Sequence, residues 1–264
     1  MLDFFRHTYR LKIIQKFFFI LFLLTISQNI KAADKSLSFD GTDDFIEIPN
    51  DGALNPTGAY TVAAWWKQEG QTTGKNSWQS IITSRSTTGT GAKGYMMYLR
   101  RDDQKLQYWK GAEDDTNWVQ IQTNEQSAWK RTGSAAWEFY VIRYDGSNGM
   151  DLFLNGSHVQ NTTSEFNLNR QNDDKPTRIG AGNTNADAVY FFHGKIDDVA
   201  IWNEALTDAE ISALYNSGET LYAKENYGDY SSKDNLVAYY TMDSDDGAGT
   251  TLTDDEGNND GSFS

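Results

Sequence analysis

Five aromatic residues, Trp78, Tyr98, Trp109, Trp118 and Trp129, fall within fifty-two positions, several of them among polar neighbours. A flat ring stacks on the apolar face of a sugar while nearby amides and acids bond its hydroxyls. With Asn183, Asn185 and Asp187, and Tyr190 just beyond, these are the residue types of a carbohydrate platform and its rim. The same aromatics also fill cores. For Trp109 and Trp118 the core reading leads, while Trp78 and Trp129 lie in more polar surroundings; Trp65 and Trp202 are read as core. Asp197 offers different chemistry. Counting by two puts it on one strand face with Val199 and Ile201, so its carboxylate is expected to point inward and to need a partner. A cation is one such partner and backbone N–H groups are another. Asp243-Ser-Asp-Asp-Gly-Ala starts like a helix-loop-helix calcium loop, but its glycine falls at the wrong place.

Catalytic chemistry has less to build on. The chain has no cysteine, which excludes a thiol nucleophile and leaves an exported fold without disulfides. His7, His158 and His193 are the only histidines, and none has a serine nucleophile context. The acidic runs Glu113-Asp114-Asp115 and Asp173-Asp174 lack the alternation that would put two carboxyls on one strand face.

The elements that would position these residues are strands. Val141 and Arg143 alternate with Ile142 and Tyr144, and Leu152 and Leu154 alternate with Phe153 before Asn155-Gly156, a hairpin pair suited to two positive φ values. Tyr60 to Lys67 forms the most apolar strand, Ser80 to Arg85 another, and Tyr95 to Arg101 pairs with Lys105 to Lys110 across Asp102-Asp103-Gln104. Trp118 to Thr123 and a short Arg178–Gly180 strand follow. One helix is predicted. Thr207 and Glu210 form a capping box, Ile211 and Leu214 an apolar face, and Gly218 a stop. The texture is that of an all-β protein, an antiparallel β-sandwich with one short C-terminal helix.

The order Trp137, Tyr144-Asp-Gly, Leu152-Phe-Leu-Asn-Gly and Gly194-Lys-Ile-Asp-Asp-Val-Ala-Ile-Trp202 resembles the laminin-G-like domains of the concanavalin-A-like lectin/glucanase superfamily. Leu37-Ser-Phe-Asp-Gly-Thr-Asp-Asp-Phe-Ile-Glu-Ile-Pro49 and Tyr60-Thr-Val-Ala-Ala-Trp65 look like its opening strands, and Asn203-Glu-Ala-Leu-Thr-Asp-Ala-Glu-Ile211 like its closing segment. The resemblance covers about residues 36 to 217 and implies a jelly roll. It also implies a structural Ca2+ held by Asp197 with early-strand carbonyls, and Asp40 as a second candidate ligand. The sandwich glucanases carry their acid and nucleophile as Glu-x-Asp-x-x-Glu on one strand, and no such motif occurs here.

Residues 1–32 form a separate segment. Arg6, Arg10, Lys12 and Lys16 precede the apolar run Phe17 to Leu24, which reads as a secretory signal cleaved near Ala32. The run is about ten residues, short of the roughly 20 of a membrane span, although a retained anchor is the alternative. Without the leader's five basic residues and one acid, the net charge moves from −14 to −18. Such a surface repels nucleic acid and anionic membranes and suits Ca2+. Residues 36–222 make the sandwich. Segment 233–264, with Leu236-Val-Ala-Tyr-Tyr-Thr-Met-Asp, resembles the start of a unit; it either closes the same sandwich, the favoured reading, or begins a severed second one. The function expected is a secreted or cell-surface recognition module for a glycan or surface glycoprotein, with an adhesive role. The rivals are a divergent polysaccharide lyase or glycoside hydrolase of the same fold, and a purely structural module.

Overall fold

The computed structural model describes residues 35–71, 78–86, 92–112, 117–165, 167–168, 170–172, 174–182, 187–218, 221–243 and 249–264. In chain order the strands are β1 (Leu37–Asp40), β2 (Ile46–Ile48), β3 (Tyr60–Gln68), β4 (Gln79–Ser86), β5 (Lys93–Leu99), β6 (Lys105–Gly111), β7 (Trp118–Gln126), β8 (Glu138–Tyr144), β9 (Gly149–Leu154), β10 (Ser157–Thr163), β11 (Thr177–Ile179), β12 (His193–Trp202), β13 (Leu236–Tyr240), β14 (Thr251–Leu252) and β15 (Gly261–Phe263). Among the described residues there are two α-helices, α1 (Ala128–Thr132) and α2 (Asp208–Tyr215), and three 3-10 turns at Gly52–Leu54, Asn216–Gly218 and Lys233–Asn235. The strands build two antiparallel sheets. One runs β1-β12-β3-β8-β9-β10 with β13 also on β12, and the other runs β14-β15-β2-β11-β4-β5-β6-β7.

The central strands of the seven-stranded sheet, β3, β8 and β12, are buried on both faces. Tyr60, Val62, Ala64 and Trp66 of β3 point between the sheets with Ile142, Ile196 and Ile201. Ala63 and Trp65 point the other way, toward a second cluster in which Ile211 and Leu214 of α2, Leu221, Ala223 and Tyr230 cover the sheet. A strand packed on both sides needs apolar residues at every position, which explains the unbroken run of β3. The eight-stranded sheet packs only its inner face on the core, with Tyr95, Met97, Leu106, Tyr108 and Ile121 inward. Its outer face carries Arg85, Met96, Tyr98, Trp109 and Trp118 at the alternate positions.

Local chemistry sets the turns. At the β9–β10 hairpin Asn155 and Gly156 have φ of 51° and 74°, the left-handed pair that a two-residue turn requires. The Asn155 Oδ1 also accepts the Phe139 amide at 2.9 Å. A Cβ at 156 would stand 2.8 Å from the Tyr215 Cβ, so glycine also lets α2 approach the hairpin. The capping box of α2 is present, the Thr207 side chain taking the Glu210 amide and Glu210 taking the Thr207 amide. The helix ends on Asn216 in the left-handed conformation, two residues before Gly218. Helix α1 was not expected from the sequence; Ser127 caps it and left-handed Gly133 ends it, but it is only five residues long.

Strand β12 corrects the inward parity assigned to Asp197. Its register slips between Asp197 and Ala200, and Asp198 has a φ of 48°. The bulge inserts a residue, so Ile196 and Val199 both face the inter-sheet core, whereas Asp197 stands opposite Trp65 and shares that residue's face. Counting by two fails across a bulge. Asp197 is nonetheless buried, and its Oδ1 accepts the Asp198 amide at 2.9 Å.

The bulge also marks a junction. Strand β1 pairs with residues 193–196 of β12, and β13 pairs with 199–202 along the same edge. The two strands lie end to end, joined where the Lys35 amide donates to Asp243 Oδ1 at 2.9 Å. Strand β15 pairs with β2 in the other sheet.

Candidate ligand-binding site

The outer face of the eight-stranded sheet holds a cavity of about 200 Å³ lined by Trp78, Arg85, Met96, Tyr98, Trp109, Trp118 and Tyr190. Pairing explains the assembly. Met96 on β5 is registered with Trp109 on β6, and Trp109 with Gln120 on β7. Cross-strand neighbours share a face, so four consecutive strands bring residues far apart in sequence into one wall. Trp78, just before β4, meets Tyr98 edge-on at 6.0 Å and Trp109 at 6.2 Å between ring centres. Tyr190 meets Tyr98 at 5.8 Å and 68°.

Polar contacts fix these rings. The Trp109 Nε1 donates to Gln107 Oε1 at 2.9 Å, and Gln107 Nε2 donates to Gln122 Oε1 at 2.9 Å. That relay runs across β6 and β7 and satisfies the indole from within the sheet. The Arg85 guanidinium lies 5.5 Å over the Trp118 ring and its Nη1 is 3.6 Å from the Met96 sulfur. The Tyr98 hydroxyl is buried and makes no hydrogen bond of good geometry. Burial pushes its pKa up, with the Arg85 charge opposing. This hydroxyl belongs to a ring that lines the cavity.

The far wall depends on two backbone features. The Gly182 amide donates to the Val189 carbonyl at 2.7 Å, and the Ser80 amide donates to the Tyr190 carbonyl at 2.9 Å. Tyr190 itself has a φ of 60°, a left-handed conformation that costs a bulky residue energy and needs its surroundings to hold it. A Cβ on Gly182 would lie 2.7 Å from the Tyr98 hydroxyl and 2.8 Å from Tyr190 Cδ2. Only glycine lets both rings close on this strand end.

Of the sequence candidates, Trp78, Tyr98, Trp109 and Trp118 therefore come together. Trp109 and Trp118 face outward, away from the core reading favoured for them. Trp129 sits half-buried on α1 and is not part of the lining, and Asp187 is exposed. Asn183 and Asn185 lie outside the described residues. Sequence reasoning missed Arg85 and Met96, although their alternation with the inward residues of β4 and β5 is a signal that could have found them. It gave Tyr190 a polar rim role, and the structure gives it a ring in the wall.

The carboxylate candidates lie elsewhere. Asp40, Asp43 and Asp44 bring oxygens within 4.8 Å of one another at the β1–β2 turn. They also serve that turn, Asp40 Oδ1 taking the Thr42 amide at 2.7 Å and Asp44 Oδ2 the Asp40 amide at 3.0 Å. Beside Asp197, Asp198 accepts the Tyr239 hydroxyl at 2.7 Å and the Leu221 amide at 3.0 Å. Among the described residues no helix is long and apolar enough to cross a membrane.

Residues 40–212 match the concanavalin A-like lectin/glucanases superfamily in its laminin-G-type branch, and the chain belongs to that superfamily. No curated protein matches the sequence. Among solved structures, a candidate carbohydrate-binding protein from Bacteroides ovatus superposes with a TM-score of 0.62 at 14% identity. The match covers 86% of this chain and 57% of that one, so the chain spans little more than half that protein's length. The binding domain of botulinum neurotoxin D/C gives 0.54 at 14% identity, covering 72% of this chain and 45% of that one. The CBM40 module of Ruminococcus gnavus IT-sialidase gives 0.51 at 13% identity, covering 69% and 96%. At these identities the likeness is one of fold.

Proposed function

We propose that the protein is a non-catalytic recognition module that binds carbohydrate in the aromatic pocket of its eight-stranded sheet. The observation that carries the reading is the convergence of Trp78, Trp109, Trp118, Tyr98 and Tyr190 around one cavity on the outer face of that sheet. Rings inclined to one another by 66° and 68° offer both a floor and a wall to a single sugar ring, and a cavity of about 200 Å³ suits one ring better than an extended chain. The Bacteroides ovatus structure of the same fold is described as that of a candidate carbohydrate-binding protein, which is consistent with this use of it. The rival hydrolase reading needs two carboxyls about 5 Å or more apart across the scissile bond, and the seven lining residues include none. Export to the medium or the cell surface, with an adhesive role toward a glycan or glycoprotein, completes the proposal and rests on the leader-like residues 1–32.

The test is a glycan array probed with the compact unit Lys35–Ser264 and with its Trp109→Ala variant. Binding that the variant loses supports the pocket. No binding to any glycan, or binding indifferent to Trp109, overturns it. The structural Ca2+ implied by the resemblance is tested separately by melting with and without EDTA. A bound ion stabilises by about 2.7 kcal/mol at one hundred times its dissociation constant, so an unchanged melting temperature removes it. If a shift is seen, Asp197→Ala and Asp40→Ala decide which carboxylate holds the ion.

A further inference from the structure

We infer that the pocket takes a sugar unit through a methyl group seated on Met96, so that its ligands are saccharides carrying a 6-deoxyhexose or an N-acetylated amino sugar. The inference rests on the recognition reading above and adds the chemistry of the sugar. Of the seven lining residues five are aromatic and one is methionine. Met96 is almost fully buried yet lines the cavity, which makes its thioether the floor. Its cross-strand neighbours are Thr83 on β4 and Trp109 on β6, and Trp78 stands edge-on to Trp109 at 6.2 Å. A methyl group that reaches this floor leaves water for contact with sulfur and ring carbon.

Polar groups beside that floor are already engaged. The Trp109 Nε1 donates to Gln107 at 2.9 Å. The Arg85 guanidinium lies 5.5 Å over the Trp118 ring with Nη1 3.6 Å from the Met96 sulfur, and Arg85 and Thr83 both flank the buried Tyr98 hydroxyl. A sugar hydroxyl pressed down to Met96 loses its water and finds these groups committed, which costs binding. A methyl at the same place has no hydrogen bond to lose. The other hydroxyls of the ring have a different outlet. Gln120 is paired with Trp109 on β7, the last strand of the sheet, and is exposed, so its amide faces solvent at the rim. The floor thus sorts by the methyl, and the rim holds hydroxyls common to most sugars.

Tryptophan fluorescence titration with pairs of sugars that differ by one oxygen tests the assignment. L-Fucose and L-rhamnose are set against L-galactose and L-mannose, which add a hydroxyl at the methyl carbon. N-acetylglucosamine is set against its N-glycolyl analogue, which does the same. At least one methyl-bearing sugar is expected to bind about tenfold or more tightly than its hydroxylated partner, and the pair that responds tells the deoxy source from the acetamido one. Met96→Gln, which puts an amide at the floor, should remove most of that preference, whereas Gln120→Ala should weaken both members of a pair alike. Near-ultraviolet circular dichroism and melting confirm that each variant is folded, and the wild-type ratios decide the assignment by themselves if the glutamine variant is not. Equal affinities within every pair, or a preference that survives Met96→Gln, overturn the methyl assignment but leave the recognition reading standing. A Gln120→Ala loss confined to one member moves the selection to the rim and overturns it too, as do array hits that carry neither group. Failure of every glycan, in titration and on the array, sinks the recognition reading itself.

Discussion

Trp109 and Trp129 are the same residue type with different supports, and the contrast defines what a platform needs. Trp109 is anchored at its indole nitrogen by Gln107, which is itself bonded to Gln122, so the ring is preorganised before any ligand arrives. Trp129 lies outside that wall. Trp109→Ala is therefore expected to weaken glycan binding at least tenfold, with Trp129→Ala within twofold of the parent, both read by titration against the best array hit. A second residue-level prediction concerns Lys110, which the sheet turns inward between Tyr60 and Tyr144, 5.0 and 5.2 Å from their ring centres. Its Nζ donates to the Arg170 carbonyl at 3.0 Å, and burial pushes its pKa down to about 7. In the unfolded chain the amine holds its proton up to roughly pH 10. Between about 7 and 10 the unfolded state binds more protons than the native one, so this residue makes stability rise with pH. Denaturant melts from pH 6 to 9 should show the rise in the parent and its loss in Lys110→Met. A variant as pH-dependent as the parent would show that Lys110 keeps its proton in the core.

Elements show where local sequence decides and where packing does. The β9–β10 hairpin and the start of α2 were legible because each depends on neighbours in the chain, the Asn155-Gly156 pair in one case and the Thr207–Glu210 box in the other. Strand β12 was legible as a strand but not in its facing, because a bulge follows from what pairs with it on both edges. The site shows the same division. The aromatics could be named from composition, whereas their shared face, and the inclusion of Arg85 and exclusion of Trp129, needed the registers of β4 to β7. Glu210 illustrates an element whose role exceeds its local signal. Besides capping α2, its Oε1 accepts the Ser232 hydroxyl at 2.6 Å and the Ser231 amide at 3.2 Å, tying the helix to the segment that leads into β13. Burial would raise its pKa, but these hydrogen bonds prevail and hold it below the usual carboxylate range. Its stabilising contribution is complete above the unfolded value of about 4.3 and fades as pH falls through the lower folded value. Glu210→Ala should cost about 1–3 kcal/mol at pH 7 by denaturant titration. The gap from the parent should narrow in acid, since protonating the parent removes the same charge. A gap independent of pH would assign the loss to packing alone.

At the scale of the whole molecule, both ends of the described chain enter the same two sheets. Strands β1 and β13 divide one edge of β12, and the Phe45 carbonyl accepts the Ser264 amide at 3.0 Å on the opposite sheet. Loop residues after β14 cover what β13 would otherwise expose. The Asp255 amide donates to the Tyr239 carbonyl at 2.7 Å, and Asp254 Oδ1 accepts the Tyr239 amide at 2.9 Å. Such cover protects an edge that could template aggregation. Leu236, Tyr239, Tyr240, Met242 and Leu252 are all buried. At roughly 1.5–3 kcal/mol for each large apolar side chain, their loss is on the order of 10 kcal/mol, comparable with the whole stability of a typical domain. Truncation after Lys233 is therefore expected to give an unfolded or insoluble protein. A synthetic peptide of residues 234–264 added during refolding should restore the cooperative melt, because the strands it supplies pair with β12 and β2 and do not depend on chain connectivity. Limited proteolysis gives the opposing outcome a clear form. Rapid loss of residues 233–264, leaving a soluble remainder with an unchanged melting temperature, would mean that β13 to β15 ride on a sandwich already complete without them.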